Sequence, residues 1–130
     1  MTTRTLLRTL ELLHATHELP IACFQENSVL LRAYSSYQGY APVFSAMAGR
    51  APDDQNISLV SGYAGLYGAV RIRESGHLLI TGPFLNKKPD EALFDAILHD
   101  YELPWEEREP LKQFLFSLPR YPLNRFLNFV

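Results

Sequence analysis

Residues 57–84 carry the most regular pattern in this 130-residue chain and constrain its fold most. The composition of residues 57–63 is typical of a strand. Residues 66–73 and 77–84 place alternate side chains on opposite faces, and a Glu-Ser-Gly turn joins them. The pattern predicts antiparallel strands, the last two in a hairpin, at the centre of the fold.

Helical patterns precede and follow this central segment. Residues 3–17 predict an amphipathic helix, and residues 21–24 and 28–34 predict a first strand hairpin. Residues 35–55 read as a loop with a short helix, and further helices are expected after Pro89, over 105–118 and from Leu123. This order predicts an α+β domain over residues 1–130, in which an antiparallel sheet of about five strands has an N-terminal helix and C-terminal helices.

The charge of the chain argues against nucleic-acid binding by these residues. Twelve Lys and Arg face fourteen Asp and Glu, for a formal charge of -2 at pH 7. Residues 90–109 hold eight carboxylates and one base, Arg108. Phosphate backbones are held by clustered bases, so we expect no binding of duplex DNA by this chain.

A single cysteine, Cys23, excludes an intrachain disulfide and any multi-cysteine metal site. No apolar run approaches the ~20 residues that span a bilayer, so no membrane association is expected. These observations favour a cytoplasmic protein.

Motifs of catalysis are not found. Gly62, Gly65 and Gly68 do not precede a predicted helix, so they suit a turn and a close strand crossing rather than a phosphate site. His14 and His17 share a predicted helix, but no Cys, Asp or Glu motif supplies the remaining ligands of a metal site. Cys23 lies in an apolar strand, where a thiol is usually a small buried side chain. We therefore expect no enzyme activity, no metal and no cofactor.

Tyrosines suggest a small-molecule site instead, because they combine an apolar ring with a hydroxyl group. A pocket is predicted between the inner face of the sheet and residues 35–55, where an irregular segment can adapt to a guest. It would orient a small polar effector such as a sugar or metabolite. The predicted lining is Tyr40, Phe44, Ser61, Tyr63, Tyr67 and Thr81. In the alternative, Tyr67 and Thr81 face solvent, and the core consists of Leu66, Val70, Ile72, Leu78 and Ile80.

The C-terminal segment predicts self-association. Its helices are too short to bury every apolar side chain against one sheet, and apolar surface left over favours a symmetric partner. The predicted homodimer contacts are Leu115, Leu118, Phe126 and Phe129. The apolar pattern is still running at Val130, so we expect the chain to be a fragment of a longer protein.

Three sequence runs resemble a known family: Leu59-Val60-Ser61, the run over 67–72, and the run over 79–83 that ends in Gly-Pro. With the acidic helices, Ser117-Leu118-Pro119 and Arg125-Phe126-Leu127, they resemble the N-terminal sensor region of AraC-type transcription regulators of Gram-positive bacteria. The resemblance implies a PAS/GAF-like sheet, effector sensing, dimerisation, and DNA binding only through a C-terminal helix-turn-helix domain that this sequence lacks. It supplies no ligand contact. The alternative is a protein-interaction or dimerisation module without a ligand.

Overall fold

The computed structural model describes residues 3–17, 20–25, 29–35, 37–62, 65–85 and 89–118. Within them, five strands form one antiparallel sheet in the order β2-β1-β5-β4-β3. The strands are β1 (Ile21–Phe24), β2 (Leu30–Tyr34), β3 (Ile57–Gly62), β4 (Gly65–Ile72) and β5 (His77–Leu85). β2 and β3 are therefore the two edges of the sheet.

Four α-helices surround the sheet in the described part of the chain: α1 (Thr3–His17), α2 (Ala41–Arg50), α3 (Glu91–Asp100) and α4 (Arg108–Ser117). Short 3-10 turns, Gln38–Tyr40 and Trp105–Glu107, lead into α2 and α4. The predicted fold class is confirmed: an α+β fold with a five-stranded antiparallel sheet, an N-terminal helix and C-terminal helices. The helix expected from Leu123 lies outside the described residues.

The helix boundaries follow from local chemistry. The Asp90 carboxylate accepts a hydrogen bond of 2.9 Å from the Leu93 amide and caps the start of α3. Pro110 lies in the first turn of α4, where a missing N–H removes no intrahelical bond. The regular part of α4 consequently begins at Arg108, and residues 105–107 form the 3-10 turn.

Helices pack on both faces of the sheet, and the strand register decides which side chains meet. Ala69 pairs with Ile80 and Val70 pairs with Leu79. Because cross-strand partners share a face, Ile80 lies on the side of Ala69, where α2, α3 and α4 form the larger core. Leu79 lies on the other side, beneath α1.

This register overturns the alternative in which Leu66, Val70 and Ile72 share one core with Leu78 and Ile80. Leu78 and Ile80 belong to the larger core, whereas Ile72 packs with the α1 cluster. The predicted alternation holds within β4 and over His77–Thr81 of β5, beyond which the register between these two strands shifts. The pattern of a single strand does not show how it pairs with its neighbour. That pairing decides which side chains of the two strands lie on the same face of the sheet.

Candidate functional site

Tyr40, Phe44 and Tyr67 come together in the larger core, between the sheet and α2. Each is fully buried. The ring centroids of Tyr40 and Phe44 are 5.2 Å apart, and those of Phe44 and Tyr67 are 6.4 Å apart, both in edge-to-face geometry. Tyr40 ends the 3-10 turn before α2 and Tyr67 lies in β4, so the contact joins two distant segments.

The two tyrosines also form a polar contact inside this apolar layer. Their hydroxyl oxygens are 2.5 Å apart. Burial is the main cause that raises the pKa of both phenols, and the neighbouring Tyr40 raises the pKa of Tyr67 further. Both side chains are therefore neutral hydroxyl groups that can donate and accept hydrogen bonds.

Tyr37 extends this aromatic layer to its rim, although it is not among the six residues predicted to bind a ligand. Its ring centroid lies 5.9 Å from that of Phe114, which in turn lies 4.8 Å from that of Tyr40. Its hydroxyl donates to Glu107 Oε2 at 2.8 Å, and burial together with this carboxylate raises the pKa of Tyr37. The spacing of Tyr37, Tyr40 and Phe44, at i, i+3 and i+7, is the sequence signal that could have identified it.

Ser61 and Thr81 do not join this layer. Ser61 pairs with Leu66 and Thr81 pairs with Gly68, so both point to the face opposite Tyr67. Thr81 donates its hydroxyl hydrogen to the Pro20 carbonyl at 2.9 Å, and the Ser61 side chain is exposed. The sheet itself separates them from Tyr67, so the prediction that all six residues line one pocket is corrected on this point. Tyr63 lies outside the described residues.

Two of the four residues predicted to form dimer contacts are buried inside the protomer. Leu115 is fully buried and Leu118 is 7% exposed, and both belong to the larger core. They stabilise the protomer itself and present no surface to a second copy. Phe126 and Phe129 lie outside the described residues. The helical period of α4 leaves Phe116 on the outside instead, at 47% exposure.

An exposed aromatic patch lies beside these helices, and we define it as Trp105, Arg108 and Phe116. Arg108 and Phe116 contact the buried ring of Phe94. Trp105 is 72% exposed, and the Arg108 guanidinium lies 5.3 Å from its ring centroid and 5.8 Å from that of Phe94. Phe116 packs edge-to-face on Phe94 at 5.9 Å.

Arg108 is fixed in this patch by two carboxylates. Its Nε donates to Asp95 Oδ1 at 3.0 Å, and its NH2 group donates to Glu91 Oε2. These bonds hold the guanidinium over the Trp105 ring.

Metal and thiol chemistry find little support in the part of the chain described above. Its His, Cys, Asp and Glu side chains form no group of three or more that could hold a metal ion. Burial raises the pKa of the Cys23 thiol from 9.0 to about 11, so the unreactive thiol form dominates at neutral pH. No helix among the described residues is long and apolar enough to cross a bilayer.

The chain was compared with protein families, with curated proteins and with solved structures, and none of them matches it. Functional inference for this protein depends on its own residues and contacts.

Proposed function

We propose that this chain is the N-terminal effector-sensing and dimerisation domain of an AraC-type transcription regulator. The sequence runs that resemble this family, over 59–61, 67–72 and 79–83, lie in β3, β4 and β5. In this role the effector binds here, and an attached C-terminal domain binds DNA. The formal charge of -2 agrees with such a division of labour, because a sensing domain needs no phosphate contacts.

The observation that carries the sensing role is the buried pair of hydroxyl groups on Tyr40 and Tyr67. Small-molecule sites combine an apolar lining with a few polar groups that orient the ligand. A sugar hydroxyl or a small carboxylate could replace either partner of the 2.5 Å contact without leaving a buried hydroxyl unpaired. The rings fill this space, so the effector enters as α2 or α4 shifts outward.

The same layer offers a route by which binding reaches the attached domain. The Tyr40 ring lies 4.8 Å from Phe114 of α4, the last helix that the structure describes. A ligand that displaces Tyr40 therefore displaces α4. A helix that takes one position without ligand and another with ligand can couple a binding site to a distant domain.

A thermal-shift screen against sugars and small organic acids tests this proposal. We expect at least one ligand to raise the melting temperature, and Tyr67→Phe or Tyr40→Phe to remove most of that rise. Tyr34→Phe is the matched control, because the Tyr34 hydroxyl donates to the Leu7 carbonyl on the other side of the sheet. A ligand effect that survives both core substitutions would contradict a site at this tyrosine pair.

The attached domain is tested separately. The reading frame that follows codon 130 is expected to encode a helix-turn-helix region. A continuation of another kind would contradict the AraC assignment without affecting the ligand result. The proposed compartment is the cytoplasm, where Cys23, the single cysteine, stays reduced.

A protein-interaction module is the second candidate, and the exposed aromatic patch favours it. Exposed tryptophan and arginine side chains are frequent at the energetic centres of interfaces. A dimer alone fits both candidates. The interaction role further requires that Trp105→Ala weakens the association seen by light scattering, and that no small molecule stabilises the chain. Leu59→Ala, which removes an exposed apolar side chain on β3, is the control.

A further inference from the structure

An open groove of about 740 Å³ lies between α1 and the edge strand β2. It is on the face of the sheet opposite the tyrosine pair, where α1 lies against β1 and β2. Its walls carry guanidinium groups from both elements, and its apolar lining includes leucines of α1. The residues that matter here are Arg4, Arg8, Arg32, Glu11, Leu7 and Leu12.

Arginines elsewhere in the described chain are all engaged. Arg50 donates to the Ser61 carbonyl, and Arg73 donates to Asn56 Oδ1 at 2.7 Å. Arg71 donates to the Pro52 carbonyl and to Asp53, and Arg108 donates to Asp95 and Glu91. Outside the groove, each guanidinium group of the described residues is thus held by an oxygen atom of the chain.

Arg4, Arg8 and Arg32 are different. Within the described residues, none of these three guanidinium groups takes part in a hydrogen bond or an ion pair. All three line the same groove, together with a single carboxylate, that of Glu11. The unengaged cations of the described chain are therefore concentrated at one place.

An anion would relieve the repulsion among these exposed, water-solvated guanidinium groups. Arg4 and Arg8 are one helical turn apart on α1, and like charges at this spacing repel each other. The groove has an excess of positive charge although the whole chain has a formal charge of -2. Planar guanidinium groups match the geometry of carboxylate and phosphate oxygens, which would replace water as their hydrogen-bond acceptors.

The apolar part of the groove indicates the chemistry of the rest of the ligand, beyond its anionic group. Leu7 and Leu12 line it, and Leu12 is 61% exposed. The volume lies within the range of about 300–1,000 Å³ that small-molecule sites occupy. We propose that this groove binds a small organic anion, a carboxylate or phosphate ester whose apolar body covers these leucines. The site goes beyond the sensing role proposed above and is independent of the tyrosine pair.

Isothermal titration of the full 130-residue chain with hexanoate, hexyl phosphate, hexanol and inorganic phosphate tests this proposal. We expect hexanoate or hexyl phosphate to bind, and their relative affinities distinguish a carboxylate ligand from a phosphate ester. Arg8→Gln and Arg32→Gln should each weaken binding roughly tenfold or more, because each removes a charge-assisted hydrogen bond. Arg73→Gln is the matched control, since this exposed arginine lies outside the groove.

Several results would overturn the proposal. Equal binding of hexanol would show that the arginines take no part, and binding unchanged by Arg8→Gln and Arg32→Gln would place the anion elsewhere. Inorganic phosphate binding as tightly as hexyl phosphate would remove the role of the leucines. If an acidic peptide binds and none of the small anions does, the groove is a protein-docking site. Because these arginines make no internal bond and Arg4 and Arg8 repel each other, the variants should melt at the temperature of the parent chain or slightly above it.

Discussion

The hydroxyl oxygens of Tyr40 and Tyr67 lie 2.5 Å apart, although 27 positions separate the two residues in the chain. This contact links the turn that precedes α2 to β4 and places two polar atoms in the middle of the larger core. Buried hydroxyl groups are costly when unpaired, so the contact fixes how α2 sits on the sheet.

The tyrosine pair predicts a non-additive pattern of stability. Tyr67→Phe should lower the free energy of unfolding by about 1–3 kcal/mol, because it leaves the buried Tyr40 hydroxyl without this partner. The double variant Tyr40→Phe, Tyr67→Phe should cost less than the sum of the two single variants, since it leaves neither hydroxyl of the pair behind. Urea denaturation of the four proteins measures this. Strict additivity would show that the two hydroxyls do not depend on each other.

Neighbouring positions of α4 should respond very differently to truncation. Leu115→Ala is expected to cost about 2–5 kcal/mol, because Leu115 is fully buried and its removal leaves a cavity. Phe116→Ala should cost less than Leu115→Ala, because about half of the Phe116 side chain is already exposed. Its edge-to-face contact with Phe94 adds only about 0.5–1.5 kcal/mol to the cost of the lost burial. Denaturant unfolding of the two variants and the parent chain measures both losses in unfolding free energy. A larger loss at Phe116 would mean that the outer face of α4 is covered, for example by a second copy.

Replacing two glycines near α2 by alanine should change the stability of the protein in opposite directions. A Cβ at Gly39 would lie 2.7 Å from Cε1 of Tyr37 and closer still to the hydroxyl end of that ring, which Glu107 holds in place. A Cβ at Gly49 meets nothing within 4 Å. Gly39→Ala should therefore destabilise the protein, whereas Gly49→Ala, inside a helix, should stabilise it by about 0.5–1 kcal/mol. Thermal unfolding of both variants is the measurement, and the same sign at both positions would contradict this expectation.

Alkaline pH should weaken the fold in part through Cys23. Its thiol has a pKa near 9.0 when exposed and about 11 when buried, so the unfolded chain loses this proton first. The stabilisation is complete below pH 9 and is lost progressively as the pH rises through about 11. The difference in unfolding free energy between the parent and Cys23→Ala should therefore shrink over this window. Comparison with the variant removes the contribution of the buried tyrosines, and a constant difference would show that Cys23 does not titrate on unfolding.

Most of the secondary structure can be predicted from the sequence because its signals are local. The stripe of leucines over residues 3–17 places α1 with the observed bounds, and β1 begins and ends where its apolar run does. The central alternating segment gives β4 and β5 to within a residue. Tyr40, Phe44 and Tyr67 were likewise selected for their residue type and their place near the irregular segment.

Tertiary structure alone decided which of these residues meet. The sequence by itself determined the α+β class and the alternation within each strand, since these depend on neighbours a few residues apart. The pairing of Ala69 with Ile80, which puts Tyr67 in the core and Thr81 on the opposite face, depends on the register between strands. Similarly, the exposed arginines of α1 and Arg32 share a groove only because β2 closes beside α1. Such contacts join segments that are distant in sequence, and their geometry is set by the packing of the whole fold.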